Sequence, residues 1–491
     1  MVASRVLRVG RADDGVAGQS LRAGIAQIQR ELDVTPEFPA EVERAAAAAA
    51  GAGADEGLTG ERVDRTDLPL VTVDPPGSMD LDQALHLARD GDGYLVHYAI
   101  ADVAAFVAPG GPVDAEAHRR GETLYGADSK IPLHPTALSE DAASLLPDRT
   151  RPALLWTLAL DATGELVDTR VERATVRSIA RLDYAGVQRM VDAGRFDGAY
   201  ADSLALFETI GELRLAKEAE RGGVDLPLPD QEIEVAGDRW SLSYRRMLPV
   251  ERWNAQLSLL TGFGAATLMT RAKVGVLRTL PDPDPRDIAR LHRTAVALGI
   301  AWPDDQPYPA FIRSLDPARA DHAAMASACT RLLRGSGYAA FDGSLPALTR
   351  HSALAAEYAH VTAPLRRLVD RYAGEVCVAL CAGVSVPTWV TDAFATLPET
   401  MSASGRQAGA YERAVVNLVE AGVLAPRVGE RFSGAIVEVA EKEPTRGSVT
   451  VQEPAVEAAV RGAKPLDLGT EVEVTLVTAD VASRTVAFEL R

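Results

Sequence analysis

The segment DPPGSMDLDQAL, residues 74–85, contains three carboxylates, Asp74, Asp80 and Asp82, directly after an apolar run that ends at Val73. In an extended segment Asp80 and Asp82 project to the same side, because successive side chains alternate. The Pro-Pro-Gly turn can fold Asp74 back toward them. Two carboxylates about 4 Å apart repel by roughly 4 kcal/mol at an effective dielectric near 20. Such a cluster is stable when water solvates it or when a divalent cation binds among the oxygens.

The chemistry of these ligands favours Mg²⁺ or Mn²⁺, since hard cations prefer carboxylate oxygens. An EF-hand calcium loop does not fit. With Asp80 as its first position, Leu85 stands where glycine is required and Gly91 where the closing glutamate is required. The residues alone therefore leave two interpretations, a magnesium or manganese site and an exposed acidic turn.

Composition sets the class of protein. The 491-residue chain has a formal net charge of −18, which opposes an extended nucleic-acid surface, although a strand threaded through an interior channel needs only local positive charge. A hydrophobic content of 47% predicts a soluble globular protein of two to four domains. No apolar run approaches the roughly 20 residues that span a bilayer, and the N-terminus lacks a signal-peptide core. The three cysteines form no disulfide framework, so we expect a cytoplasmic protein without membrane contact.

The pattern of apolar residues, glycine and proline changes along the chain and predicts the helices and strands that position the acidic cluster. Apolar spacing and alanine runs predict helices before residue 60, and GAGADEGLTGE, residues 51–61, is typical of a linker. Short β-type runs begin near residue 66 with LPLVTVD, GYLVHYAIADVAAFV and PALLWTLALD, and helical patterns dominate from about 200 to 425. The last sixty residues return to strands, in ERFSGAIVEVAE, RGSVTVQE, TEVEVTLVTAD and SRTVAFEL. Strands so closely spaced predict a small closed barrel of the OB type.

The acidic segment and the run GYLVHYAIADVAAFV that follows it resemble the catalytic signature of the ribonuclease II family, the RNB-domain exoribonucleases. The likeness continues in order through residues 109–154, which are similar to the family's tyrosine loop. It extends to YAHVTAPLRRLVDRY, residues 358–372, which resembles the family's Y-x-H-F-T-S-P-I-R-R-Y-x-D element. This resemblance implies an α+β, multidomain fold in which an RNB-type catalytic domain precedes a C-terminal β-barrel of OB type. The expected divisions are an N-terminal helical segment at 1–60 in place of cold-shock barrels, the RNB catalytic domain at 61–400, a helical connector at 401–428 and an RNA-binding OB-fold at 429–491.

The same resemblance implies roles for individual residues. Catalytic roles fall on Asp82, Asp80 and Arg366, and the metal, Mg²⁺ or Mn²⁺, falls on the acidic segment through Asp74, Asp80, Asp82 and Gln83. RNA contacts fall on Tyr125, Arg367, His360 and Thr362, the last two as supporting residues. A guanidinium such as that of Arg366 donates in a fork to phosphate oxygens and keeps its charge. In the alternative interpretation, PLRRLVDR is only a basic helix start in which Arg366 pairs with Asp370.

Three departures from the family pattern concern function. Gln83 stands where the signature has its fourth aspartate, and it offers a neutral carbonyl oxygen in place of a charge. Ala363 replaces the usual serine before the proline, and the first 60 residues are too few for two cold-shock barrels.

Two functions are therefore expected in competition. One is a metal-dependent 3′→5′ exoribonuclease that hydrolyses single-stranded RNA to 5′-mononucleotides. The other is a catalytically silenced RNB domain that holds RNA or a partner protein, with Gln83 as the silencing change. Single-stranded RNA is the expected partner, and no obligatory protein partner is evident.

Overall fold

The computed structural model describes residues 16–54, 56–127, 129–236 and 239–490. Its helices are α1 (Val16–Glu31), α2 (Ala40–Ala52), α3 (Glu56–Thr59), α4 (Pro112–Arg120), α5 (Tyr184–Asp192), α6 (Ala201–Ala205), α7 (Phe207–Arg221), α8 (Pro249–Ala272), α9 (Pro285–Ala297), α10 (Tyr308–Arg313), α11 (Ala320–Cys329), α12 (Leu368–Ala382), α13 (Thr388–Ala393) and α14 (Leu397–Leu424). Its strands are β1 (Val63–Asp64), β2 (Leu70–Asp74), β3 (Gln83–Asp90), β4 (Gly93–Ala101), β5 (Leu124–Tyr125), β6 (Lys130–Ile131), β7 (Thr150–Leu160), β8 (Leu166–Asp183), β9 (Asp230–Ala236), β10 (Arg239–Arg245), β11 (Val274–Thr279), β12 (Gly337–Asp342), β13 (Arg350–His351), β14 (Ala356–Glu357), β15 (Arg431–Val439), β16 (Arg446–Val451), β17 (Val456–Gly462), β18 (Glu471–Asp480) and β19 (Thr485–Leu490). The first fifteen residues of the expected N-terminal helical segment lie outside the described residues.

A six-stranded sheet with the order β1-β8-β2-β3-β4-β7 carries the acidic segment. The long strand β8 pairs antiparallel with β7 as far as Arg177 and parallel with β2 from Ser178 onward, so the sheet curls back on itself. Buried side chains such as Val73, Trp156 and Leu158 fill its apolar face. Since β2 ends at Asp74 and β3 begins at Gln83, the whole acidic segment lies in the connection between two paired strands.

Helix α8 lies closely against the segment that precedes Arg366. A Cβ atom on Gly262 would stand 2.6 Å from the carbonyl oxygen of Ala359 and would overlap the ring of Tyr358, so only glycine permits this approach. One turn earlier on the same helix, Ser258 Oγ lies 2.8 Å from Thr362 Oγ1. The helix therefore fixes residues 358–362 against the sheet, and α12 begins directly after the arginine pair.

The N-terminal helix α1 packs on the long helix α14 through reciprocal glycines. A Cβ on Gly24 would lie 2.7 Å from Leu418, and one on Gly422 would lie 2.6 Å from Leu21. Arg484 of the last strand pair also donates to Glu31 at the end of α1 over 2.6 Å. Helix α1 is thus held by both α14 and the C-terminal strands.

The C-terminal strands form a closed barrel in the order β15-β16-β17-β19-β18, with β17 and β19 parallel. Its core contains Phe432 and Phe488, whose rings meet edge to face at 5.7 Å. This architecture confirms the predicted α+β fold with a terminal β-barrel of OB type. Strand β17 was not predicted, because the alanines in its sequence VEAAVRG weaken the alternation that marks a strand.

The helical prediction for residues 200–425 is correct only in part. Two antiparallel strand pairs, β9 with β10 and β11 with β12, interrupt the helices there. Strand β12 lies 58 or more residues beyond β11, and a pairing over that distance leaves no local signal in the sequence. None of the helices in the described residues is long and apolar enough to cross a membrane.

Candidate active site

Asp74 is held at the end of β2 by the turn that follows it. Gly77 has φ +83° and the Ser78 amide donates to the Pro75 carbonyl over 3.2 Å, so the Pro-Pro-Gly turn reverses the chain as predicted. The Asp74 Oδ2 atom is buried and accepts no hydrogen bond from any described residue. Burial, followed by repulsion from Asp80, raises the pKa of Asp74 to about 7, and Arg366 acts in the opposite direction. Asp74 and Asp80 are therefore close enough to interact.

Asp82 is the most deeply placed of the three carboxylates, with only 5% of its surface exposed. Its Oδ1 accepts the Leu365 amide over 2.7 Å, and its Oδ2 lies 3.7 Å from Arg366 Nε. Burial raises the pKa of Asp82 well above its ordinary value, and the nearby Arg366 guanidinium opposes this shift. The structure thus brings the acidic segment and the arginine segment into direct contact.

The two neighbouring arginines occupy different environments. Arg367 donates to both oxygens of Asp370, over 2.9 and 2.8 Å, and Asp370 also accepts the Ala363 amide over 2.7 Å. The side chain of Arg366 is 39% exposed and faces Asp82. The pairing of Arg366 with Asp370 considered from sequence is therefore wrong, since Asp370 holds Arg367. Arg366 projects from the end of a segment that its neighbour anchors.

Gln83 is engaged by protein groups on both ends of its amide. Its nitrogen donates to the Thr362 carbonyl over 2.6 Å, and its carbonyl oxygen accepts the Tyr98 hydroxyl over 2.6 Å. Tyr98 is buried on β4, and Thr362 is buried beside Ser258 of α8. Gln83 therefore connects the sheet to the arginine segment, a role that a shorter, charged aspartate could not fill with the same contacts.

His360 lies in an aromatic group beside the arginine segment. Its Nδ1 lies 2.8 Å from the Tyr338 hydroxyl, and its ring meets the ring of Tyr358 at 90°. Burial, together with the positive charge of Arg367, lowers the pKa of His360 well below its ordinary value, so the ring is neutral. We find His360 packed among tyrosines, which agrees with a supporting position.

Tyr125 is exposed on a short strand pair next to the acidic segment. Tyr125 is 40% exposed. It lies on β5 directly opposite Lys130 on β6. Residues directly opposite in a strand pair project to the same face. Tyr125 and Lys130 are therefore neighbours on one surface.

Lys130 is the site residue that sequence reasoning missed. Its Nζ lies 2.9 Å from Asp80 Oδ1 and 2.9 Å from Glu140 Oε1. Burial opposes its charge, but Asp80 and Glu140 outweigh that effect and raise the pKa of Lys130. Its only signal in the sequence is rarity, since the chain has five lysines and this one follows the tyrosine loop.

The loop that carries Asp80 is fixed by the turn that carries Glu140. The Leu81 amide donates to Ser144 Oγ over 3.0 Å, and Ser144 Oγ donates to the Met79 carbonyl over 2.6 Å. The Leu145 amide completes the connection by donating to the Leu81 carbonyl over 3.0 Å. Asp80 and Glu140 are thus brought together by the backbone and do not depend on Lys130 for their proximity.

The carboxylates of Asp74 and Asp82 are the groups at this site that could bind a hard divalent cation. No group of three or more histidine, cysteine, aspartate or glutamate side chains in the described residues has the arrangement of a metal site. The chemistry nevertheless fits, because Asp74 has a buried oxygen without a partner and Asp82 is a buried carboxylate. Both groups gain a counter-charge when a divalent cation binds.

Comparison with known families gives a direct result. The family model described as RNB domain matches residues 62–379, about two thirds of the chain, and the model described as RNase II-type exonuclease C-terminal S1 domain matches residues 430–491. The chain belongs to the RNB-domain family. The resemblance to ribonuclease II-type proteins drawn from the sequence motifs is confirmed.

Individual relatives agree with this assignment. Ribonuclease R of Escherichia coli is 28% identical over 449 residues, which are 86% of this chain and 54% of that protein. Exosome complex exonuclease RRP44 homolog A of Arabidopsis thaliana is 28% identical over 344 residues, 67% of this chain and 36% of that protein. The RNB-domain chain therefore spans about half or less of the length of these curated relatives.

Two solved structures show the same fold at low sequence identity. Mycoplasma genitalium RNase R in complex with ribose-methylated single-stranded RNA has a TM-score of 0.86 at 20% identity, covering 96% of this chain and 78% of that one. Yeast Ssd1, described as a pseudonuclease, has a TM-score of 0.68 at 15% identity, covering 90% of this chain and 55% of that one. The fold is thus shared by relatives with different catalytic status.

Proposed function

We propose that this RNB-domain protein is a divalent-metal-dependent 3′→5′ exoribonuclease that hydrolyses single-stranded RNA to 5′-mononucleotides. The observation that carries the proposal is the contact between Asp82 and Arg366. The Leu365 amide, adjacent to Arg366, donates to an aspartate 283 residues earlier in the chain, and the arginine side chain faces the other oxygen. This arrangement places a carboxylate and a phosphate-binding guanidinium at one point.

Membership of the RNB family supports the reaction class, since the relatives of this chain include ribonuclease R and an exosome exonuclease. The Mycoplasma genitalium relative was solved with single-stranded RNA, and we extend that ligand to this chain. The net charge of −18 is compatible with this ligand when contacts are confined to a local group such as Arg366 and Lys130.

Each residue of the site has its own role in the proposed phosphodiester hydrolysis. Asp74 and Asp82 would hold an Mg²⁺ or Mn²⁺ ion, whose positive charge would polarise the phosphate and make a water molecule more acidic. Arg366 donates its N–H groups to non-bridging phosphate oxygens, where negative charge accumulates during the reaction. Arg367 is held by Asp370 and stiffens the segment that aims Arg366. Tyr125 offers an exposed ring on which the terminal base stacks.

The second candidate is an RNB domain that binds RNA without cleaving it. The observation that favours it is the occupied amide of Gln83, whose carbonyl oxygen accepts from Tyr98 and whose nitrogen donates to Thr362. The likeness to the pseudonuclease Ssd1 shows that this fold also occurs without activity. In this case RNA binds without metal, and Asp82→Asn leaves every measured property unchanged.

One assay separates the two functions. A 5′-labelled single-stranded poly(A) oligonucleotide is incubated with the protein and Mg²⁺ or Mn²⁺, and the products are resolved by length. Progressive shortening of the labelled strand, with release of mononucleotides, supports the enzyme. An intact strand under both metals, together with retained RNA binding, rejects the enzyme and supports the silenced domain. A single cut within the strand would contradict both.

A further inference from the structure

The pairing of Lys130 with Asp80 deepens the proposed function, on which it rests, by defining how many cations the site accepts. Many nucleases use two divalent cations about 3.5–4 Å apart. That arrangement requires enough free carboxylates to hold both ions. In this chain Asp80 is already paired with an ammonium, and both ends of the Gln83 amide are already hydrogen-bonded within the protein.

The ammonium of Lys130 has the position expected of a bound cation. It lies 2.9 Å from one oxygen of Asp80 and 2.9 Å from one oxygen of Glu140. The two carboxylates are held together by backbone contacts around Ser144, so the lysine enters a prearranged acidic pair. The side chains of Asp80 and Glu140 are only 16% and 28% exposed, which separates the contact from an ordinary surface ion pair.

Asp74 differs from Asp80 in having a buried oxygen with no partner among the described residues. Asp82 keeps one oxygen facing the partly exposed Arg366. Among the described residues, Asp74 and Asp82 are therefore the two signature carboxylates with no cationic group at hydrogen-bonding distance, whereas Asp80 has one. Gln83 cannot replace Asp80 as a ligand without giving up the Tyr98 contact or sharing its carbonyl oxygen.

The balance of charge leads to the same number. The side chains that meet at the site are the carboxylates of Asp74, Asp80, Asp82 and Glu140 and the cationic groups of Lys130, Arg366 and Arg181. When all are ionised, one negative charge remains. One divalent cation then leaves the site with a single positive charge, whereas two would leave three positive charges before any phosphate enters.

We infer that this RNB-domain chain binds one divalent cation, on Asp74 and Asp82, and that the Lys130 ammonium takes the place of a second cation at Asp80. An ammonium supplies positive charge and N–H donors to a phosphate oxygen, but it does not activate water as a metal does. Lys130 also shares a face with Tyr125, its direct partner across the strand pair. Its charge therefore lies where the end of a bound strand is expected.

The inference is tested by counting bound Mn²⁺ with electron paramagnetic resonance, without RNA. We expect one Mn²⁺ per wild-type chain and two per Lys130→Met chain. Lys130→Arg, which keeps the charge, is expected to bind one. Lys217→Met is the matched control, because Lys217 also lies near two carboxylates, Glu165 and Glu220, but these are 58% and 64% exposed. Two ions or none on the wild type, or one on a folded Lys130→Met chain, would overturn the inference.

Ligand variants keep the test decisive if Lys130→Met does not fold. Asp80→Asn is expected to change Mn²⁺ affinity less than threefold, whereas Asp74→Asn weakens it more than tenfold. An equal loss in both variants would show that Asp80 is a metal ligand and would overturn the inference. The measurement is independent of cleavage. A chain that binds one ion but degrades no RNA refutes the proposed function alone, and a chain that degrades RNA with two bound ions refutes the inference alone.

Discussion

Arg366 Nε lies 3.7 Å from Asp82 Oδ2, although the two residues belong to segments separated by most of the RNB domain. A second contact joins the same two segments, since the amide of the neighbouring Leu365 donates to the other oxygen of Asp82 over 2.7 Å. Asp82 thus fixes the backbone from which Arg366 projects. Any change at Asp82 is expected to affect both metal binding and the aim of the arginine.

Asp82→Asn is expected to abolish RNA degradation while the fold is retained. Asparagine keeps an oxygen for the Leu365 amide but removes the charge, and a loss of about 4 kcal/mol of transition-state stabilisation corresponds to about a thousandfold in rate. Single-turnover cleavage of 5′-labelled RNA measures the rate, and anisotropy with ribose-methylated RNA measures binding. Asp90→Asn, at the exposed end of strand β3, which begins directly after Asp82, is the control. Wild-type rates in Asp82→Asn would contradict the assignment.

The adjacent arginines are expected to respond in opposite ways. Arg366→Lys should lower kcat by about 10²-fold with an unchanged Tm, because its forked donors face phosphate and only Asp82 pairs with it among the described residues. Arg367→Met should lower the free energy of unfolding by about 3–5 kcal/mol, because it leaves the buried Asp370 without its partner. Urea unfolding and steady-state kinetics on both variants separate the roles. A large loss of stability in Arg366→Lys would contradict the assignment of Arg366 to phosphate binding and of Arg367 to stability.

Gln83→Asp is expected to destabilise the protein without raising its activity. The shorter side chain leaves the Thr362 carbonyl without its donor and places a further negative charge beside Asp82, which together cost about 1–3 kcal/mol. Tyr98→Phe removes only the other contact of Gln83 and serves as the comparison. Chemical unfolding and the RNA assay measure both consequences. If Gln83→Asp instead creates activity in an inactive wild type, the chain is a silenced RNB domain.

Stability without metal is expected to decrease as the pH rises from about 4 to about 7. The pKa of Asp74 is raised from 3.8 to about 7 by burial and by Asp80, so in this range the folded chain binds a proton that the unfolded chain has lost. The full effect is about 4 kcal/mol at most. Urea unfolding in EDTA at several pH values measures it. Asp74→Asn should reduce the slope without abolishing it, because the pKa of Asp82 is raised as well, while Asp67→Asn, at an exposed carboxylate, should leave the slope unchanged. Added Mg²⁺ should restore stability mainly above pH 7.

The sequence predicted those parts of the site that depend on short-range geometry. Asp74, Asp80 and Asp82 lie on one turn, and a Pro-Pro-Gly turn behaves alike in most settings. The link between Gln83 and Thr362 joins residues 279 positions apart, so no local pattern could reveal that the amide was already occupied. Lys130 was missed for the same reason, since its contact with Asp80 depends on how the turn around Ser144 packs on the acidic loop.

The fold shows the same division between local and distant signals. The alternating runs that form β2, β4 and β7, and the barrel strands β15, β16, β18 and β19, were predicted from their own residues. The alanine-rich β17 and the distant pair β11 and β12 were not, because their partners, and not their composition, make them strands. The division of the chain at residues 61, 401 and 429 stays a prediction, although α14 ends at Leu424 and the barrel begins at Arg431.

Tyr125→Ala is expected to weaken the use of RNA without affecting the fold. The residue is 40% exposed on a two-residue strand, so its ring contributes little to the core and is available to a base. Stacking on an aromatic ring is worth about 1–3 kcal/mol per base, which corresponds to an increase in KM of about 5- to 150-fold. Tyr125→Phe keeps the ring and should keep the wild-type KM, which separates stacking from any role of the hydroxyl. Tyr125 pairs with Lys130 across the two strands but is not proposed as a metal ligand. The number of bound Mn²⁺ ions is therefore expected to be the same in both variants as in the wild type. A Tyr125→Ala chain with a lowered Tm and an unchanged KM would instead show that the ring only packs the tyrosine loop.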